Sequence, residues 1–325
     1  METHNASPGG FRSVRWHHPA RSAGAPVFPS PTRSCILPGR TKEGELHSAR
    51  RMWMLFEPIH AMTYFSPEGL QAYTDAGLRG FWRGYFAGRA APFGAVDAPV
   101  VVASFFGFAP AFVARALPAV WDLITPEQVL RVRAAGAANA IERLAANLGT
   151  DLAATADALE SVARDLDIAG RSLGAVNAAV PPPDRPAERL WQAATTLREH
   201  RGDGHVAALV AAGIDGCESL VLRAGLDSSR RLLQPIRGWT DEQWDAAHAR
   251  LQARDLITTE GKATPDGTAL LQEAEDATDR AAARPWTSLD PAELERVTTL
   301  LTPIGDACLA AMPTPNPIGL ARAKP

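Results

Sequence analysis

The chain contains little cysteine and no pair of the Cys-x-x-Cys type. Its three cysteines, Cys35, Cys217 and Cys308, are widely separated in a sequence of 325 residues. An odd and sparse cysteine set argues against a disulfide framework and against a cysteine zinc site, and it is typical of a reducing compartment. We therefore predict a cytoplasmic protein.

Long hydrophobic runs are also missing. The most apolar stretch, residues 98–114, is 17 residues long, and Pro99 and Pro110 interrupt it. Because a membrane-spanning helix needs about 20 predominantly apolar residues, buried helices explain this stretch better. The first 51 residues lack the apolar core of a secretory signal. The sequence predicts no membrane partner.

Recognised cofactor and metal motifs are absent as well. The segment GRAAPFG from Gly88 has the wrong spacing for a phosphate-binding loop, and no Gly-Lys-Ser/Thr follows it. No histidine, cysteine or carboxylate spacing matches a known ligand motif. The sequence therefore predicts neither a cofactor nor a metal.

Charge and composition divide the chain near residue 51. Residues 1–51 hold eight Lys/Arg against three Asp/Glu, whereas the remainder holds 25 against 33. The first segment is also rich in proline, glycine and serine, so it buries too little apolar surface to offset its chain entropy. It predicts either a disordered basic tail or an upstream extension, with the true start at Met52 or Met54.

Landmarks in the remaining chain recur with a spacing of about 109 residues. Trp82 precedes Arg89 by seven positions, and Trp191 precedes Arg198 by the same number. An apolar stretch, a second tryptophan and a Thr-initiated segment (TPEQ, TDEQ) follow each pair in the same order. We interpret this as a tandem duplication. The predicted modules are 52–185 and 186–312, with a ligand cleft between them and an irregular tail over 313–325.

The residue pattern is mainly helical, since β-branched alternation is scarce. Ser66, Thr125 and Thr240 each have the context of a helix N-cap, the two threonines within capping boxes. One helix is predicted from Pro67 through Arg89. In the second half, the order of a helix from 240, the short segment TTEGKATPDG and another helix predicts a winged helix with a small β-hairpin. The predicted fold is therefore mainly α, with two winged-helix-derived modules in a pseudo-two-fold arrangement.

Four segments carry a resemblance to a known family: EPIHAMTYFSPEGLQAY, GLRGFWRGYFAGRAAPFG, FAPAFVARALPAVW and LREHRGDGHVAALVAAGIDGCESLVL. Together they resemble the SalK-like helix-turn-helix family of actinobacteria, over about residues 53–312. The resemblance implies a helix-turn-helix fold and a place in specialised metabolism. It implies no reaction and no catalytic residues.

The charge of the predicted recognition helix, 240–255, disfavours DNA as a partner. Its first turn is acidic, with Asp241 and Glu242, and Arg250 and Arg254 do not offset the four acidic residues of the segment. Binding a polyanion through this surface would lack the counterion release that drives such binding. DNA remains a possible partner on fold analogy alone.

The densest polar cluster is REHRGDGH, residues 198–205. If its Gly-Asp-Gly segment forms a turn, His200, Asp203 and His205 converge as a general base with an orienting carboxylate. Arg198 and Arg201 would then clamp a carboxylate or phosphate. The alternative interpretation is a charged loop with local ion pairs and no catalytic role.

Further candidates for ligand binding come from two patterns. His60 and Tyr64 share a helix face with Glu57, although a histidine among apolar neighbours is more often a core residue. Arg89 and Arg198 hold matching places in the repeat, so they either face each other across the cleft or cap their own helices.

These observations lead to two hypotheses. In the first, the protein binds a small organic, anionic molecule in the cleft, as a binder or an enzyme, on a winged-helix scaffold that has lost DNA reading. In the second, it is a ligand-responsive helix-turn-helix transcription regulator.

Overall fold

The computed structural model describes residues 48–314, 318 and 320, and these residues form fifteen α-helices and no β-strand. The first part of the chain contributes α1 Ser48–Phe65, α2 Pro67–Asp75, α3 Phe81–Ala90, α4 Ala98–Phe105, α5 Pro110–Val113, α6 Pro126–Ala145, α7 Leu152–Arg164 and α8 Ser172–Ala178. The second contributes α9 Pro186–Ala211, α10 Gly216–Leu226, α11 Arg230–Arg237, α12 Asp241–Ala253, α13 Pro265–Ala281, α14 Arg284–Thr287 and α15 Pro291–Ala311. The predicted all-α class is confirmed for this part of the chain.

Helix starts lie where the sequence predicts them. The Ser66 hydroxyl accepts the Gly69 N–H at 2.9 Å, and Pro67 follows at the first helical position, where its missing N–H leaves no bond unmade. Thr125 and Thr240 form complete capping boxes with the glutamines three residues later. These three N-caps are confirmed.

The single helix predicted from Pro67 through Arg89 is wrong. The chain leaves the helical conformation after Asp75, and both Gly77 and Gly80 take positive φ angles, 85° and 90°. Glycine adopts this region without the steric cost that other residues incur, so it ends one helix and redirects the next. The break separates α2 from α3.

The largest core surrounds α9, a 26-residue helix. This helix contacts α1, α6, α7, α8 and α13, so residues from both sides of the Pro181–Pro183 segment share one apolar cluster. Trp191 lies at its centre with 1% of its surface exposed, and its indole N–H donates to the His60 carbonyl at 3.0 Å. Packing around α9 thus links the two predicted modules.

A second core is aromatic and lies around α3, α4 and α5. Phe86, Phe105, Phe108 and Phe112 contact one another through stacked and edge-to-face rings, and Trp82 packs against the cluster from a partly exposed position. Such ring pairs stabilise beyond the area they bury. This core forms one wall of the cavities described below.

The third core lies around α10, α11, α12 and α13, and we refer to α10–α12 as the helix-turn-helix unit because a turn of three residues connects α11 to α12. Trp244, Ala247 and Leu251 on α12 are buried against Leu222 of α10 and Leu271 of α13. The turn between α11 and α12 begins at Gly238, which has φ 74°. A three-residue turn with a left-handed glycine is typical of this motif.

The predicted β-hairpin wing is wrong. Residues 257–263 form one isolated antiparallel bridge, between Ile257 and Ala263. The bridge is closed by the Thr258 N–H to Lys262 and the Thr264 N–H to Leu256, while the Ala263 N–H donates to Gly225 on α10. The segment is bound to α10 and is too short to form a strand pair.

The tandem duplication is also not supported. Trp82 lies on a ten-residue helix and Trp191 on one of 26 residues, and the two Thr-capped helices have 20 and 13 residues. The matched landmarks therefore occupy different structural settings, and no second bridge or wing accompanies α6 in the described residues.

The ends of the chain fall largely outside the described residues. Of the predicted tail 1–51, only 48–51 are described; they form the first turn of α1, and Arg50 is buried there. Between residues 48 and 314, no single helix is both long and apolar enough to cross a membrane; α9 and α10 reach those limits only as a pair, bent by 93°.

Candidate functional site

A row of charged side chains along α9 forms the centre of the site. Arg198, Arg201 and His205 recur at helical spacing and share one face, and all three line a cavity of about 270 Å³. The predicted Gly-Asp-Gly turn is wrong, because residues 202–204 continue the helix without a break. The histidines His200 and His205 therefore point to different sides of α9 instead of converging.

Glu199 of α9 binds two arginines, Arg89 of α3 and Arg198 of its own helix, and the first of these contacts joins α3 to α9. Its carboxylate accepts Arg89 Nε at 2.8 Å and Arg89 Nη2 at 2.9 Å, and it also accepts Arg198 Nη1 at 2.8 Å. Burial opposes the charge of this group, but the two guanidinium groups outweigh burial and hold the pKa of Glu199 well below its ordinary value. Arg89 and Arg198 thus converge on one carboxylate and line the same cavity.

A second ion-pair group connects α9 to α13 and α1. Arg201 Nη2 binds Asp279 at 2.8 Å, and Arg50 binds both Asp279, at 2.9 Å, and Glu275, at 2.6 Å. The alternative interpretation of residues 198–205 as a charged loop with local ion pairs, such as Asp203 with Arg201, is also wrong, because Arg201 binds Asp279 instead. These contacts fix the charged face of α9 between its neighbouring helices.

His205 is held in one tautomer by its neighbours. Its Nδ1 lies 3.0 Å from the Thr278 hydroxyl, which donates its only hydrogen to the Ala274 carbonyl at 2.7 Å. The Nδ1 atom is therefore the protonated nitrogen, and Nε2 is free to accept a hydrogen bond. Burial also lowers the pKa of His205, which favours the neutral ring.

Arg237, at the last turn of α11, differs from the other cavity arginines. Its guanidinium stacks over the Phe108 ring at 4.3 Å, and among the described residues it forms no ion pair and its Nε has no hydrogen-bond partner. Burial lowers the pKa of Arg237, and the Tyr85 hydroxyl opposes that shift while Arg89 and Arg198 add to it. Arg237 is half-buried with its Nε fully enclosed, and partial removal of a cation from water without a counter-ion costs free energy.

Two adjoining cavities share a wall at this arginine. The larger is bounded by α1, α3, α4, α9, α10 and α13, and the smaller, of about 70 Å³, lies against aromatic side chains of α1 and α3. Residues that line both cavities are Glu57, Tyr85, Arg198, Arg237 and Ile318. Apolar walls with a few converging polar groups are typical of small-molecule sites.

The charges around the larger cavity do not balance. Its lining residues and their direct partners comprise six arginines and five acidic residues: Arg50, Arg89, Arg198, Arg201, Arg223 and Arg237, with Glu57, Glu199, Asp227, Glu275 and Asp279. Arg133 adds a further buried cation behind this wall, where it binds only neutral acceptors: Gly88, Asn177 and Gln192. The surroundings of the cavity are therefore positive although the chain as a whole has a net charge of −3.

The remaining predicted site residues divide between the small cavity and the protein interior. His60 and Tyr64 line the small cavity; the His60 ring binds Thr195, and burial beside Arg198 lowers its pKa. His200 and Asp203 line neither cavity. His200 bonds the Asp167 carbonyl, and Asp203 accepts the Gly174 N–H, while burial raises the pKa of Asp203 to about 6.

The sequence contains one Gly-x-Ser-x-Gly motif, but the fold does not place its serine as a nucleophile. Residues 170–174 read Gly-Arg-Ser-Leu-Gly, the spacing of a nucleophile elbow. Such an elbow needs a strand before the serine, whereas Ser172 opens the short helix α8, is exposed and lines neither cavity. We assign it no role.

The outer face of the helix-turn-helix unit is acidic, and three of its arginines, Arg230, Arg250 and Arg254, are engaged. Arg230 binds Asp241 at 2.7 Å and Asp245 at 2.6 Å, both on the exposed face of α12. Arg250 binds Asp215 and Glu218, and Arg254 donates to the carbonyls that end α9. These arginines would have to exchange existing partners before they contacted a phosphate.

Comparison with known proteins gives one finding. Residues 49–315 match the model of a helix-turn-helix family. A search of curated proteins gave no match, and neither did a search of solved structures. In the described residues, no three His, Cys, Asp or Glu side chains group as metal ligands would.

Proposed function

The chain belongs to this helix-turn-helix family, and we propose that it binds a small organic anion in the cavity between α3, α9 and α11. The observation that carries the proposal is Arg237, a half-buried guanidinium near Arg89 and Arg198 that has no acidic partner among the described residues and whose Nε is enclosed without a hydrogen-bond partner. A carboxylate or phosphate of a ligand would supply the missing negative charge and accept the Arg237 Nε–H.

The walls indicate what else the anion carries. Trp53, Phe105, Phe106, Leu209, Leu220 and Leu271 line the larger cavity. Because these apolar surfaces lose contact with water when a ligand binds, an acid with an apolar body gains more than an inorganic ion does. His205 Nε2, free to accept, would bind a hydroxyl or N–H of the same molecule. We propose an organic acid with an apolar body as the ligand class.

Replacing Arg237 by glutamine tests this proposal. Benzoate and phenyl phosphate serve as probes, with benzamide as a neutral analogue, and affinity is measured by calorimetry at low chloride concentration. Loss of a buried charge partner costs about 2 kcal/mol or more of binding free energy. R237Q should therefore lower the affinity for whichever probe binds better by at least about tenfold.

The matched control is Arg131→Gln, which removes an exposed arginine that lines neither cavity. R131Q should bind like the wild type. R237Q should also melt no lower than the wild type without ligand, because it removes a half-buried charge that has no acidic partner in the described part of the chain. Equal affinity in R237Q, R131Q and the wild type would refute the site.

The second candidate function is DNA-binding regulation, which family membership and the α10–α12 unit favour. The exposed face of α12 opposes it, since Asp241 and Asp245 lie where bases would approach. In a mobility-shift experiment at low salt, we expect the full chain to show no sequence preference. Unrelated competitor DNA should abolish any shift as effectively as the unlabelled probe does. A shift that survives non-specific competitor would establish the regulator instead.

The sequence supports three further proposals about this protein. We propose that the chain is a SalK-like member of the family, that it acts in the cytoplasm, and that its ligand belongs to specialised metabolism. The four segments quoted above support the first, the sparse cysteines the second and the resemblance alone the third.

A further inference from the structure

Tyr85 occupies the position where the two cavities meet. It lies on α3 one turn before Arg89, and its hydroxyl is 3.5 Å from Arg89 Nη1. Its ring packs on Tyr64 at 4.9 Å and on Phe108 at 5.5 Å. The phenol is thus fixed among aromatic rings with its hydroxyl among charged groups.

Cations outnumber anions around this hydroxyl. Arg89 faces it from α3, Arg198 and Glu199 from α9, Arg237 from α11 and the Tyr64 phenol from α1. Glu57 of α1 also lines both cavities, but it binds Arg198 and the Trp53 indole. Glu199 is shared by Arg89 and Arg198. No acidic group in the described residues pairs with Arg237.

Two groups can supply the missing negative charge. One is the anionic ligand proposed above, and the other is Tyr85 itself, as a phenolate. Because both would neutralise the same guanidinium in a desolvated site, each disfavours the other. The bound anion needs the phenol as a hydrogen-bond donor, whereas the arginines around the free cavity make loss of the phenol proton easier.

We propose that Tyr85 is a proton-transfer group of the cavity: as a phenol it donates its O–H to the bound anion, and its ionisation to a phenolate, which would pair with Arg237, competes with anion binding. The inference rests on the proposed function. When the anion enters a site that holds the phenolate, Tyr85 takes up one proton from solvent; when a protonated acid enters, the acid transfers that proton to Tyr85 and remains as its anion.

The electrostatics of the three tyrosines make this testable by spectroscopy. Burial would raise the pKa of Tyr85, but Arg89, Arg237 and Arg198 outweigh it and lower that pKa below the ordinary value of 10.0. Burial raises the pKa of Tyr73 to about 12 and that of Tyr64 well above its ordinary value. The chain has only these three tyrosines, so one alone should ionise below pH 10.

The experiment is a pH titration of tyrosinate absorbance in the full chain, with and without benzoate. We expect one tyrosine to ionise below pH 10.0, and this step should vanish in Tyr85→Phe and persist in Tyr73→Phe. Arg237→Gln, which keeps the phenol, should move the step to higher pH. Saturating benzoate should do the same in the wild type, and benzamide should not.

The outcomes separate the two proposals. If calorimetry shows that benzoate binds but the step does not move, the role of Tyr85 is wrong and anion binding stands. If the step is absent below pH 10.0 or unchanged in Y85F, the role of Tyr85 is also wrong. If neither benzoate nor phenyl phosphate binds, the proposed function fails, and the coupling fails with it.

Discussion

Replacing Glu199 by glutamine should cost about 3 to 5 kcal/mol of the free energy of unfolding, since it removes one partner from a buried ion pair. The Glu199 carboxylate is 1% exposed and accepts three hydrogen bonds from Arg89 and Arg198. Glutamine has nearly the same shape, so the loss is mainly one of charge, which leaves Arg89 buried without an anion. Chemical denaturation measures the difference.

An exposed Glu–Arg pair in the same protein provides the control. Glu293 binds Arg296 one helical turn away at 2.8 Å, and both side chains are substantially exposed. E293Q should cost less than about 1 kcal/mol. Comparable losses in E199Q and E293Q would show that Glu199 is not a buried counter-ion.

The loss in E199Q should depend on pH in a defined direction. The folded-state pKa of Glu199 lies well below its ordinary value of 4.5. A lowered carboxyl pKa contributes stability that is fully present above the unfolded-state value and is lost as pH falls toward the folded-state value. The difference between the wild type and E199Q should therefore be constant above about pH 5 and shrink below it.

Replacing Trp191 by alanine should cost about 3 to 5 kcal/mol, the range observed for large aromatic residues in cores. The side chain extends from α9 toward α1 and is buried there; it stacks on the His60 ring at 6.4 Å and lies under the Arg133 guanidinium at 5.2 Å. Its removal leaves a cavity and also leaves the His60 carbonyl without the indole N–H. Thermal or chemical denaturation will show the loss.

Trp82 is the informative comparison, because it matches Trp191 in the repeat. It is partly exposed, beside the small cavity, so W82A should cost clearly less than W191A. A true structural duplication would give the two variants similar losses. Equal losses of stability in W82A and W191A would therefore contradict the difference in burial between the two tryptophans and would favour the duplication again.

Local signals in the sequence predicted the helices well. Ser66, Thr125 and Thr240 are N-caps because their short polar side chains bond backbone groups within the next turn, a rule that needs no tertiary information. The helix break at Gly77 and Gly80 was missed, although two glycines three residues apart are a recognised warning. The predicted duplication is not supported because the same residue types at the same spacing do not imply the same burial: Trp191 is in the core and Trp82 is partly exposed.

The site could be predicted only in part. Arg89, Arg198, Arg201 and His205 do line one cavity, because α9 keeps the last three on a single face and the Glu199 ion pair brings Arg89 of α3 against it. The predicted site grouped His200 and Asp203 with them, because Gly202 and Gly204 were expected to form a turn. Both glycines instead lie inside α9, which has neighbouring helices on several sides. At Gly204 a side chain would collide with Arg171, so this glycine serves helix packing.

Arg237 and Tyr85 were missed because nothing in their local sequence marks them. Arg237 is one of several arginines in α11, and Tyr85 is one of many aromatic residues in α3. Their importance comes from a tertiary arrangement of α1, α3, α9 and α11, in which one cation is left without an anion. The unpaired cation is found by counting the charges that contact one another in the fold. Counting charges along the sequence does not reveal it.

The most direct test of the account observes the Arg237 Nε–H itself. In a nitrogen–proton correlation spectrum of the full chain, the arginine Nε–H signal that is missing from R237Q belongs to Arg237. The account predicts that this signal shifts with benzoate until it saturates and stays fixed with benzamide. If it does not move while benzoate binds, or if benzoate and phenyl phosphate leave every arginine signal unchanged, the cavity is not an anion site.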